Sequence, residues 1–247
     1  MKYTMKQILQ SYTPEKRKKS CFWARFFSRP LSFPLTYIFI NCGLTANTVS
    51  VISMIESLLA SLFIMLGGRF TPIGVGMFVL WHILDCCDGN IARVKKTSSY
   101  GGEYFDAVSG YTAPAFVYLA VGVAAYHTTT ITTDYSYWFI VLGGVASVSD
   151  ILGRLIYQKY IVTEYRLNLI EEEKNIDVVR NSGIHHIADL IIKNMGFSSS
   201  FMPLFICACI FHKFDFLISI YSIYCFLVML GSGIFFVKKG FALDKRV

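Results

Sequence analysis

Apolar residues dominate six stretches of the chain, near Ala46–Leu66, Thr71–Ala92, Tyr104–Tyr126, Tyr137–Ile161, Ser198–Phe211 and Phe216–Val237, with short polar breaks between them. Crossing a hydrocarbon core takes about 20 helical residues, so the pattern predicts membrane-spanning helices. The fifth stretch is short, and the expectation is that it continues a helix begun on the amphipathic segment His186–Met195. The breaks Gly67-Gly68-Arg69-Phe70, His127–Ser136 and His212-Lys213-Phe214-Asp215 read as turns. The expected fold is an all-α polytopic membrane protein of six transmembrane helices. Residues 1–43 form an N-terminal juxtamembrane amphipathic segment, 44–240 the membrane domain and 241–247 a cytoplasmic tail.

Composition agrees with the pattern. Of 247 residues 54% are hydrophobic and only 16% charged, against about 25% charged in soluble domains. The charges give the orientation. Twenty-one of the 23 Lys and Arg lie before the first span, after the second, from Arg154 to Lys193 at and beyond the end of the fourth, or after the sixth, leaving Arg69 and Lys213 on the other side. The positive-inside rule makes both termini cytoplasmic. The net charge of +7 therefore reports topology, and no nucleic-acid partner is expected. No signal-peptide pattern follows the early lysines, and the expected location is a bacterial cytoplasmic membrane. The run Arg17-Lys18-Lys19 and the aromatic stretch Phe22–Phe27 suit either a segment lying on membrane lipids of an anionic leaflet or a solvated basic tail. Seven cysteines without a CxxC pair indicate neither a disulfide framework nor a zinc site.

Ionisable groups inside membrane helices are costly, by at least about 2.5–3.5 kcal/mol each on insertion scales, and so mark candidate sites. Asp85 and Asp88 lie near the cytoplasmic end of the second span, three residues apart and therefore on one helical face. If the third span folds back antiparallel, Asp106 reaches the same depth. Three converging carboxylates must be protonated, paired with arginine or neutralised by a hard divalent cation such as Mg²⁺, Mn²⁺ or Ca²⁺. Alternatively they are helix-end acids that meet nearby lysines. Glu56, near the middle of the first span, has no assigned role.

The stretch Asp85-Cys-Cys-Asp88-Gly89-Asn-Ile-Ala92-Arg93, followed after eight residues by Gly102-Glu-Tyr-Phe-Asp106, resembles the signature of the CDP-alcohol phosphotransferase family, D-x2-D-G-x2-A-R-x8-G-x3-D-x3-D. Leu44–Ser50 looks like the family's T-P-N-x-x-T entry to its first helix, with Ala46 in place of proline. The resemblance implies six membrane helices, a site open to the cytoplasm and a homodimer. It also implies transfer of a substituted phosphoryl group from a CDP-alcohol donor to a hydroxyl acceptor with release of CMP. The acceptor classes are a lipid, a polyol phosphate or a glycan intermediate. Asp85, Asp88 and Asp106 become catalytic metal ligands for Mg²⁺ or Mn²⁺, as a two-metal site. Asn47, Asp85, Gly89, Ala92, Arg93 and Gly102 become nucleotide-binding residues.

One position departs from the signature. Where the family places a fourth aspartate, one turn beyond Asp106, this chain has Gly110. The lost carboxylate is both a metal ligand and the family's general base, a role commonly worth about 10²- to 10⁴-fold in rate. Candidate substitutes are Glu103, Asp150 and His82. Each also reads as ordinary: a solvated helix-start acid, a partner of Arg154 and a core histidine. Arg154, where the fourth span emerges, suits an acceptor phosphate but is equally a snorkelling helix-end cation. Gly110 leaves open a catalytically silent member that binds nucleotide and acts as a membrane partner. A small transporter is a third reading, disfavoured because the acids cluster at one mouth.

Overall fold

The computed structural model describes residues 2–97, 100–130, 135–171 and 197–243. Among these the chain is helical, with no strand. Two short helices, α1 (Met5–Gln10) and α2 (Pro14–Lys19), are capped by Thr4 and Thr13, whose hydroxyls accept from the backbone N–H groups of Gln7 and Lys16. A π-helical turn over Ala24–Ser28 leads into α3 (Arg29–Asn41). The long helices are α4 (Ala46–Leu66), α5 (Phe70–Lys95), α6 (Tyr100–Thr128), α7 (Trp138–Glu171) and α9 (Phe214–Leu243). The shorter α8 (Met202–Phe211) precedes α9 and is itself preceded by a second π-helical turn, Phe197–Phe201.

Five helices are long and apolar enough to cross a membrane, and the predicted fifth span corresponds to the shorter apolar helix Ser199–Phe211. The segment His186–Met195, expected to extend it, and the acidic stretch beyond Glu171 lie outside the described residues. Helix ends differ from the hydropathy limits. α7 continues past Ile161 to Glu171, and α9 continues past Val237 to Leu243, into the region read as a tail. Hydropathy reports the thickness of the lipid, whereas backbone hydrogen bonding continues wherever Pro, Gly or a cap does not stop it.

Consecutive helices run back and forth, with α4 beside α5 and α6, and α7 between α6 and α9. Gly67 and Gly68, both at positive φ, make the α4–α5 turn. Lipid offers helices little hydrophobic drive to associate, so close van der Waals contact decides the packing. α6 and α7 cross where Gly122 meets Gly143, and a Cβ on Gly122 would lie 2.5 Å from the Phe139 carbonyl oxygen. An aromatic core of Phe78, Trp81, Tyr118, Phe201, Phe205 and Tyr221 fills the interior. Large apolar side chains such as Leu59, Leu62, Ile73, Ile223 and Leu227 face outward. α5 is the central helix, with 56% of its apolar window buried against 17% for α9.

Candidate active site

The last turns of α5 meet the first turns of α4 and α6 at one end of the bundle. Asp85, Asp88, Gly89, Ala92 and Arg93 from α5, Ala46, Asn47 and Ser50 from α4, and Gly102, Glu103 and Asp106 from α6 line a cleft of about 860 Å³. Oxygens of Asp85, Asp88 and Asp106 all lie within 4.8 Å of one another. A donor set made only of carboxylate oxygens fits a hard divalent cation and not a thiophilic one.

The α5 wall is held from behind. Asp88 is 4% exposed, and its Oδ2 accepts from the Ser50 hydroxyl at 2.7 Å while its Oδ1 accepts from the Gly89 backbone N–H. Arg93 Nη2 donates to Asn90 Oδ1 at 2.6 Å. The Asn90 amide in turn donates to Ser32 Oγ at 2.9 Å and Thr36 Oγ1 at 3.2 Å, both on α3. Helix α3 thus orients Arg93 through an intermediate residue. A Cβ at Gly89 would lie 3.1 Å from Arg93 Nη1, so the glycine makes room for the guanidinium. Lys95 Nζ donates to the Leu44 carbonyl at 2.8 Å, tying the end of α5 to the turn before α4.

On the α6 wall Glu103 and Asp106 are exposed, and neither side chain has a hydrogen-bond partner among the described residues. One turn deeper, a Cβ at Gly110 would meet nothing within 4 Å. The space for a side chain is there although the side chain is not.

Every nucleotide-binding position expected from the sequence, Asn47, Asp85, Gly89, Ala92, Arg93 and Gly102, lines the cleft. Of the three substitutes for the missing aspartate, only Glu103 does. His82 is buried with its Nδ1 2.6 Å from Ser28 Oγ, and Asp150 accepts from Arg154 Nε at 2.6 Å. Arg154 also lies 5.7 Å from the Tyr111 ring centroid and is not in the cleft wall. Glu56 is likewise elsewhere, its carboxylate oxygens buried without a hydrogen-bond partner.

Sequence reasoning missed Ser50, Asn90, Lys16 and Arg29. Ser50 belongs to a readable series, Ser50, Ser53, Ser57 and Ser61, which marks a polar inward stripe on an otherwise apolar helix. Lys16 and Arg29 also line the cleft, but their charges read as topology signals.

Comparison with known proteins bears on the same residues. No curated protein matches the chain. The sequence profile of CDP-alcohol phosphatidyltransferases matches residues 43–228, from the turn before α4 into α9. A match over most of the chain, taking in all three converging carboxylates, makes this protein a member of the CDP-alcohol phosphatidyltransferase family.

Proposed function

We propose that the protein is a membrane transferase that moves a substituted phosphoryl group from a CDP-alcohol to an acceptor hydroxyl and releases CMP, with Mg²⁺ or Mn²⁺ at a two-metal site. The family implies the donor and the type of transfer. The observation that carries the reading to this chain is the meeting of Asp85, Asp88 and Asp106 within 4.8 Å beside a cleft of nucleotide size. When bound, divalent metal screens the pyrophosphate and stabilises the leaving phosphate.

The three aspartates would hold the metal, and the Ser50 hydroxyl fixes the carboxylate of Asp88. Arg93, braced by Asn90, offers its guanidinium to a phosphate oxygen. Gly89 and Ala92 let the nucleotide approach the α5 backbone, and Asn47 and Gly102 flank it. Glu103 takes the proton from the acceptor hydroxyl, because it alone of the three substitutes lines the cleft. The acceptor is a lipid, a polyol phosphate or a glycan intermediate. The excess of cations at the cleft end supports six spans with the site facing the cytoplasm. Homodimerisation follows the family.

A second reading, a catalytically silent binder of CDP-linked ligands, is favoured by Gly110. The two separate on one assay. Protein in nanodiscs, given Mg²⁺, a panel of CDP-alcohols and candidate acceptors, releases CMP if it is a transferase. Metal-dependent CDP binding without CMP release would establish the binder, and absence of any cytidine-nucleotide binding would sink both.

A further inference from the structure

The cleft has a second wall that the family match does not reach. The matched region begins at residue 43, whereas Lys16 on α2 and Arg29 at the start of α3 also line the cleft. The N-terminal segment therefore folds back over the end of the bundle and brings two cations to face the carboxylates.

Arg29 is held in place but not satisfied. Its guanidinium carbon stands 4.8 Å from the Tyr12 ring centroid, a cation–π contact. Tyr12 is itself fixed by a hydrogen bond from its hydroxyl to Ser20 Oγ at 3.2 Å and by packing on Phe33. Yet Nε and Nη1 of Arg29 are buried and make no hydrogen bond. Buried donors are rarely left unmatched, and a guanidinium with unmatched donors at a cleft wall fits an oxyanion. Lys16 completes the arrangement. Its pKa lies below the ordinary lysine value, first because the surrounding protein desolvates it and then because Arg93 and Arg29 add like charge, with Asp106 acting in the opposite sense. An anion between these cations relieves their repulsion.

We infer that Arg29 and Lys16 bind a phosphate group of a substrate, so that the N-terminal segment is part of the site. The inference rests on the transferase reading and deepens it. The phosphate belongs either to the pyrophosphate of the CDP-linked donor or to a phosphorylated acceptor. The chemistry of recognition is the same, with Arg29 a charged hydrogen-bond donor and Lys16 a point charge.

Full-length protein in nanodiscs, with Arg29→Gln, Arg29→Lys and Lys16→Gln variants, distinguishes the sources by calorimetric titration. One arm titrates CDP with Mg²⁺, and the other titrates inorganic phosphate into protein saturated with CDP and Mg²⁺. Each Gln variant weakens binding about 10-fold in one arm, as expected for loss of a charge-assisted hydrogen bond. Loss in the first arm assigns the donor, and loss in the second assigns the acceptor. Arg29→Lys recovers part of the loss, which a purely structural role for Arg29 would not predict. Lys16 is exposed, so Lys16→Gln decides the matter if Arg29→Gln does not fold. Variants that melt like the wild type and match it within twofold in both arms overturn the inference and leave the transferase reading standing. Wild-type protein that neither binds CDP nor releases CMP overturns both.

Discussion

The two walls of the cleft that carry the acids are built differently. On α5, Asp88 and Arg93 are braced from another helix or from their own turn: Ser50 for Asp88, Asn90 for Arg93, and Ser32 and Thr36 for Asn90. On α6, Glu103 and Asp106 stand exposed without such partners, and Gly110 removes a side chain from the next turn. Preorganised ligands on a rigid helix fix where a metal and its phosphate sit. The departure from the family signature, Gly110, falls on the unbraced α6 wall.

Six substitutions break or sharpen this contrast. Asp88→Asn removes the most constrained ligand and lowers CMP release by about 10³-fold, in the range of losing a key electrostatic group. Near-normal turnover in that variant would refute the α5 metal assignment. Glu103→Gln lowers kcat by about 10²-fold if it is the proton acceptor. The complementary Gly110→Asp fits sterically and changes kcat by less than about 10-fold if Glu103 supplies the base. A gain approaching the 10²- to 10⁴-fold value of general-base assistance would instead mark the missing aspartate as the limiting defect.

Ser50→Ala leaves Asp88 unbraced and weakens metal dependence about 10-fold, the lower end of outer-shell effects, read as a shift in the Mg²⁺ concentration for half-maximal CMP release. The smallest effects come from a matched pair of alanines. Gly89→Ala pushes on the Arg93 guanidinium and costs a few-fold in kcat/KM, whereas Gly110→Ala enters open space and leaves kcat/KM unchanged. Equal effects at the two positions would erase the distinction between the walls.

Much of this was legible in the chain. The limits of α4, Ala46–Leu66, coincide with the apolar run because Thr45 caps one end and Gly67 stops the other. The three aspartates were legible because a three-residue spacing and an antiparallel return suffice to bring them together. The outer ends of α7 and α9 were not, since hydropathy falls where the lipid ends while the helical backbone continues beyond it. Lys16 and Arg29 were hidden for a different reason. Near a membrane surface a cation already has an explanation, and only the path of the N-terminal segment across the cleft gives these two another. His82 and Asp150 were plausible bases by residue type, but Ser28 and Arg154 engage them away from the cleft.

The central claim is that Asp85, Asp88 and Asp106 form one metal centre across two helices. Electron paramagnetic resonance of Mn²⁺ added to the nanodisc-embedded protein tests it without requiring turnover. The account predicts that the wild type depletes the free Mn²⁺ signal and that Asp85→Asn, Asp88→Asn and Asp106→Asn each weaken this uptake by at least about 10-fold. Wild-type affinity in all three folded variants would contradict it.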